Sequence, residues 1–74
     1  MKSFQTALYK ISFDENDLKN IVHIEQLRDP ENYQSFFDLV HVVKYVLELK
    51  RGWWLSNKEA IKIINKANAW LIDN

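Results

Sequence analysis

The chain has 74 residues, which is enough for one hydrophobic core, so we expect a single domain over residues 1–74. Hydrophobic residues make up 47% and charged residues 27% of the sequence, a composition that indicates a folded globular chain rather than a disordered one. The absence of cysteine excludes a disulfide framework and a thiolate metal site. The single glycine excludes the glycine-rich loops that bind nucleotide phosphates.

The charges balance, with ten Lys and Arg against ten Asp and Glu. The sequence therefore lacks the overall basic excess that is typical of proteins that bind nucleic acid without sequence preference. Residues 1–6 lack the pattern of a signal peptide, and residues 36–49 carry too many charges to span a bilayer. We expect a cytoplasmic protein without a membrane span.

The first dozen residues fit two patterns. Positions 4, 7, 8 and 11 are apolar at helical spacing, whereas positions 9, 11 and 13 are apolar and alternate with polar residues, as in a strand. We favour a helix over residues 3–11 because no second convincing strand is evident to pair with this one.

An acidic segment at residues 14–17 then predicts the start of a second helix, over residues 15–28, with apolar positions 18, 21, 22 and 24 on one side. This helix should stop near Arg28, because the residue before Pro30 is disfavoured in helical conformation.

The third predicted helix is the longest, over residues 30–51. Asp29 would cap it, Pro30 would occupy its first turn, and Gly52 would follow its end as a left-handed cap. Residues 39–47 are rich in valine, which favours strands, but the length of the segment and its two caps favour a helix. Two apolar stripes run along it, one at positions 33, 36, 37, 40, 43 and 47 and the other at Leu39, Val42, Val46 and Leu49.

The last helix is predicted over residues 57–72. Ser56 and Glu59 have the spacing of a capping box, and apolar residues then recur on one face while lysines lie opposite. The four segments together predict an all-α fold, a compact bundle of about four helices around a central long helix. Because that central helix is apolar on two sides, it needs neighbours on both, and a second copy of the chain is one possible neighbour.

The first candidate site is the adjacent pair Trp53 and Trp54, next to Lys50 and Arg51. One or both could be core residues, or Trp54 or Leu55 could pack against Ala60 at the start of the last helix, as in a hydrophobic staple. Alternatively, at least one could lie exposed at the helix junction, where tryptophan beside arginine is typical of a protein interface. The stripe of Leu39, Val42, Val46 and Leu49 is the second candidate, as a partner surface or two-fold self-interface.

The third candidate is the row of Lys58, Lys62 and Lys66, preceded by Arg51. Residues 44–66 hold six positive and two negative charges, whereas residues 14–38 hold seven acids and two bases. The row could bind nucleic acid or an acidic partner, or it could simply be a solvated helix face.

Enzymatic chemistry has little support in the sequence. His23 and His41 have no helical partner at metal-binding spacing, and no serine lies in a nucleophile motif. We therefore predict no enzymatic activity, no metal site and no cofactor.

Residues 55–60, Leu-Ser-Asn-Lys-Glu-Ala, are similar to the opening of the first helix in small helix-turn-helix and excisionase-type domains. Those families continue with a turn and a recognition helix, whereas here the helical pattern runs on unbroken through Lys66, so the family is not assigned. In size and composition the chain also resembles small accessory proteins of bacteria and phages, such as inhibitors, immunity proteins and regulatory subunits.

These observations predict a small non-enzymatic helical protein that acts by binding another protein, or by self-association. The alternative is a regulatory protein that binds nucleic acid through the lysine row. The sequence does not identify the partner.

Overall fold

A computed structural model describes residues 2–14 and 21–72 of the chain. It contains a four-stranded antiparallel sheet and two helices, with 43% helix and 28% strand. The fold is therefore α+β. The predicted all-α bundle of about four helices around a central long helix is wrong.

The chain forms two compact units, Met1–Phe37 and Asp38–Asn74. The first contains the strands β1 (Lys2–Gln5), β2 (Tyr9–Phe13), β3 (Val22–Gln26) and β4 (Tyr33–Phe36), and the second contains the helices α1 (Leu39–Arg51) and α2 (Asn57–Leu71). That the whole chain is a single domain stays a prediction.

The sheet is a meander in which each strand pairs with the next in the chain, in the order β1-β2-β3-β4. Its two central strands alternate between apolar and polar residues, so that their apolar side chains all lie on one face. These apolar side chains are almost completely removed from solvent: Tyr9, Ile11, Phe13, Val22 and Ile24. Burial on this face fixes the pairing register, because a slip by one residue would expose the whole set.

The predicted helix over residues 3–11 is wrong, because this segment holds β1, a turn and most of β2. In the turn, the N–H of Thr6 donates to the carbonyl of Tyr9 at 2.9 Å, and the N–H of Tyr9 lies 3.3 Å from the hydroxyl of Thr6. The alternation at positions 9, 11 and 13 was the correct signal.

The partner strand lies within the second predicted helix, over residues 15–28, which is also wrong where the structure describes it. Residues 22–26 form β3, in which Val22 and Ile24 alternate with His23 and Glu25. Residues 15–20 lie outside the described part of the chain.

The third predicted helix, over residues 30–51, is wrong in its first half and correct in its second. Asp29 and Pro30 begin a turn, closed by the N–H of Asn32 on the carbonyl of Asp29 at 2.9 Å, rather than a helix. Proline fits both positions, because its fixed φ suits the first helical turn and the second residue of a tight turn equally well. The chain then forms β4, and α1 begins after Asp38, whose carboxylate accepts the N–H of His41 at 2.9 Å.

The valine-rich residues 39–47 are helical, as predicted, and lie within α1. The last helix is confirmed over Asn57–Leu71, one residue shorter than expected. Both halves of its capping box are present, since Ser56 Oγ accepts the N–H of Glu59 at 3.1 Å and Glu59 Oε1 accepts the N–H of Ser56 at 3.0 Å. The helices pack against each other. The fully or nearly buried side chains of this unit are Val42, Val46, Leu55, Ala60, Ile63, Ala67 and Trp70.

Candidate partner-binding surface

The C-terminal end of α1 is closed by a Schellman motif in which a tryptophan takes the left-handed position. The N–H of Trp54 donates to the carbonyl of Leu49 at 2.9 Å, and the N–H of Trp53 donates to that of Lys50 at 3.1 Å. Trp53 has φ = 66°, in the region that glycine usually occupies in this motif. The prediction that Gly52 is the left-handed cap is therefore wrong by one residue, because its φ is −84°.

Gly52 serves a different purpose, which is to let the Trp54 indole approach the backbone. A Cβ atom at this glycine would lie 2.9 Å from Cδ1 of Trp54 and 3.1 Å from its Nε1. Any larger residue at position 52 would require the indole to move.

Both tryptophans are exposed. Trp53 keeps 92% and Trp54 keeps 55% of its surface accessible, whereas Trp70 keeps only 7%. The position before the helix cap, where a hydrophobic staple would begin, belongs to Leu55, which is buried. Of the two residues that the sequence offered for the staple, Trp54 and Leu55, it is Leu55 that is buried.

The left-handed conformation closes the helix, but tryptophan at this position has no visible benefit for stability, because glycine would adopt the same conformation without the steric cost. A non-glycine residue in the left-handed region costs about 1–2 kcal/mol. A side chain that is 92% exposed buries too little apolar surface to offset that cost. Backbone strain of this kind is concentrated at functional sites, which makes Trp53 the strongest candidate contact residue in the described chain.

The tryptophan pair follows the end of α1, and one side of this helix is also exposed. We call this side the outer face of α1 and define it as Val40, Lys44, Leu47 and Arg51. The four positions are separated by four, three and four residues, so they follow one side of the helix. Val40 is 67% and Leu47 is 44% exposed, and both basic residues are exposed. A shallow depression of about 240 Å³ is lined by Leu47, Lys50 and Arg51. This face is both apolar and basic.

The stripe that the sequence offered as a partner surface, Leu39, Val42, Val46 and Leu49, is largely buried within a single chain. Val42 and Val46 have 0% exposure within a single chain, and Leu39 and Leu49 are half-buried. The proposal of a partner surface therefore rests on Trp53, Trp54 and the outer face. The signal that could have found this face is the spacing of Lys44 and Arg51, which lie two helical turns apart and so place two charged side chains on one side of the helix.

The lysine row lies on α2, with Lys58, Lys62 and Lys66 all exposed. Together with Ile61 and Asn65 they line a groove of about 720 Å³. Because Ile61 is 54% exposed, the groove has an apolar side as well as a basic one.

The two histidines make local contacts. His23 Nδ1 lies 2.8 Å from Ser35 Oγ, across the β3–β4 pair. His41 Nδ1 lies 2.7 Å from Asp38 Oδ1. The pKa of the Asp38 carboxyl is held below its ordinary value, first by the backbone N–H of His41 and then by its ring.

Among residues 2–14 and 21–72, no group of three or more His, Asp or Glu side chains could hold a metal ion. Neither of the two described helices combines the length and the apolar character needed to cross a membrane.

Comparisons with known proteins add no further assignment. No family model matches the chain, and searches of curated proteins and of solved structures found no significant match.

Proposed function

We propose that this protein acts by binding another protein, with Trp53 and Trp54 as the central contacts. The observation that carries the proposal is Trp53 itself, which is held at φ = 66° and is 92% exposed. Tryptophan and arginine dominate the binding energy of many protein interfaces, and here Arg51 lies two residues before Trp53.

The rigidity of the Schellman motif supports the same proposal. Two backbone hydrogen bonds, at 2.9 and 3.1 Å, fix the main chain that carries both tryptophans. A contact residue that is already held in place loses less conformational entropy on binding than a mobile one.

The chemistry of the partner follows from the outer face of α1. Its apolar residues, Val40 and Leu47, are interspersed with Lys44 and Arg51, and Lys50 lies nearby. A complementary surface would present apolar side chains flanked by carboxylates. The partner is therefore an acidic protein with an exposed apolar patch, and an inhibitory or regulatory role by steric blocking fits a chain of this size.

The test is affinity capture from a cell extract with the tagged chain and three of its variants, with quantitative mass spectrometry of what is retained. The double variant Trp53→Ala with Trp54→Ala should lose the specific partner. The matched control Ile61→Ala, which removes an exposed apolar residue from α2, should retain it. Arg51→Glu should weaken binding through charge reversal.

The retained partner, once purified, is then titrated against each variant by calorimetry. Loss of an interface tryptophan should weaken binding by about 2 kcal/mol or more, roughly thirtyfold. Equal affinity of the double variant and Ile61→Ala, with an unchanged far-UV spectrum for both, would refute the role of the tryptophans.

A second candidate function is nucleic-acid binding through the lysine row, which the groove beside Lys58, Lys62 and Lys66 favours. Such binding would fall steeply as salt is raised, because phosphate contacts release counterions. Fluorescence anisotropy with labelled single- and double-stranded oligonucleotides at about 50 mM salt tests it. Failure to bind under these conditions, or equal binding by the triple Lys→Gln variant, eliminates this candidate.

A further inference from the structure

We infer that the exposed edge of β4 pairs with β4 of a second copy of this chain, so that the two sheets join into one of eight strands. β4 is the last strand in the sheet order, and no strand of the described chain lies on its outer side. This edge shares no residue with the tryptophan pair, and the inference does not depend on the proposed function.

The pattern of hydrogen bonds shows which backbone groups of β4 face outward. The N–H of Gln26 donates to the carbonyl of Asn32 at 3.3 Å, so these opposed residues form a hydrogen-bonded pair. In an antiparallel ladder such pairs alternate with non-hydrogen-bonded ones. Ile24 and Gln34, the next pair but one, therefore bond to each other, and the N–H and carbonyl groups of Tyr33 and Ser35 point away from β3.

An independent contact agrees with this alternation. Side chains lie closest across non-hydrogen-bonded pairs. The pair of His23 and Ser35 is of this type by the same count, and its side chains approach to 2.8 Å.

The edge of β4 is short, at four residues, but it lacks the charged residues and the proline that normally discourage pairing between sheets. Such edges usually carry lysine, another charge or an internal proline. Residues 32–37, Asn-Tyr-Gln-Ser-Phe-Phe, contain none of these, whereas β1 at the opposite edge includes Lys2. Two identical uncharged strands can approach each other without electrostatic repulsion.

The arrangement of exposed aromatic residues identifies a second copy as the occupant. Tyr33 is 56% and Phe37 is 62% exposed, and they lie two positions before and two positions after Ser35. Phe37 is the first residue after β4, and in the dimer the strand would extend by this one residue, so that a two-fold axis at Ser35 places Tyr33 of each copy opposite Phe37 of the other. Aromatic cross-strand pairs of this kind stabilise antiparallel sheets. A pairing centred on any other residue of the strand would not place the exposed ring of Tyr33 opposite that of Phe37.

The interface is small, because each copy contributes only five residues, and it falls below the size of stable dimers. We therefore expect reversible association that depends on concentration. Sedimentation velocity and light scattering should show a shift from monomer to dimer between about 10 µM and 1 mM.

Two substitutions at one residue separate backbone pairing from side-chain effects. Ser35→Pro removes the outward N–H without breaking the bonds to β3, so it should raise the dimer dissociation constant about tenfold or more while preserving the far-UV spectrum. Ser35→Ala keeps that N–H and loses only the hydroxyl, so it should dimerise like the wild type. Tyr33→Lys adds a charge and leaves the main chain intact, so it should also weaken dimerisation, and it serves as the test if the proline variant does not fold.

A wild-type chain that stays monomeric at 1 mM would overturn the inference, as would a folded Tyr33→Lys variant that dimerises with wild-type affinity.

Discussion

The substitution Trp53→Gly should stabilise the protein while weakening partner binding. At φ = 66° this residue pays the steric penalty of the left-handed region, about 1–2 kcal/mol, which glycine does not. Glycine makes the unfolded chain more flexible, which reduces the gain in the free energy of unfolding by about 0.5–1 kcal/mol. Because the side chain is 92% exposed, its removal costs little burial. The net expectation is a stabilisation of about 0.5–1 kcal/mol.

The measurement is the free energy of unfolding from urea titration, with the midpoint of thermal unfolding as a second readout. For a chain of this size, the expected change raises Tm by roughly 2–8 °C. The matched control is Trp53→Ala, which removes the same indole but keeps a Cβ in the left-handed region. It should leave stability within about 0.5 kcal/mol of the wild type.

The two variants together separate the effect of the backbone strain on stability from the effect of losing the indole. Both should lose affinity for the partner, and only the glycine variant should gain stability. If Trp53→Gly is less stable than the wild type, the indole contributes to the fold, and the argument that this residue is strained for the sake of binding is refuted.

Three further predictions concern the caps of the two helices. Gly52→Ala should move the Trp54 indole, because the new Cβ would lie 2.9 Å from its Cδ1. In a ¹H–¹⁵N spectrum, the indole N–H signal of Trp54 should shift more than those of the other two tryptophans. If none of the three signals shifts, the steric argument is contradicted. Ser56→Ala should lower the free energy of unfolding by about 1 kcal/mol in urea titration, because it removes the capping box; an unchanged midpoint would show that the cap adds nothing. The Asp38 pKa lies below its ordinary value of 3.8, so its ionised form stabilises the fold above that pH and the contribution is lost as the pH falls through the lower, folded pKa. The stability difference between the wild type and Asp38→Asn should therefore be steady at mildly acidic pH and change below pH 3.8, whereas parallel curves down to acid unfolding would show that the charge plays no part.

Local signals in the sequence predicted the second half of the structure well. The capping box at Ser56 and the helical spacing of apolar residues after it located α2 to within one residue. Both signals depend on positions three or four residues apart, and such contacts form within the segment itself. The valine-rich part of α1 was also predicted correctly, from the length of the segment and its two caps, although Asp29 begins a turn and the helix is capped by Asp38 instead.

The sheet was missed because a strand is stabilised by residues distant in the chain. Positions 9, 11 and 13 showed the correct alternation, and the prediction rejected it for want of a second strand. That strand, Val22–Gln26, has only five residues, and Val22 lies four residues after the apolar position 18, a spacing that is typical of a helical face. The proline turn added to the error, since Pro30 suits a helix start as well as a tight turn.

The candidate site was also predicted in part from the sequence and decided in part by the structure. The tryptophan pair was identified as a candidate from its position in the sequence, because two adjacent tryptophans cannot both point into the core from one face of a helix. The roles within it depended on backbone geometry, which places Trp53 rather than Gly52 in the left-handed region.

The sequence was therefore sufficient to predict the features that arise from interactions within one helical turn. These features are the cap of α2, its apolar face and the end of α1 near Gly52. Pairing between strands, the choice of which α1 stripe is buried, and the outward-facing edge of β4 came from the folded chain. These features depend on which distant segments meet, and several arrangements satisfy the same local pattern of apolar and polar residues until burial selects one of them.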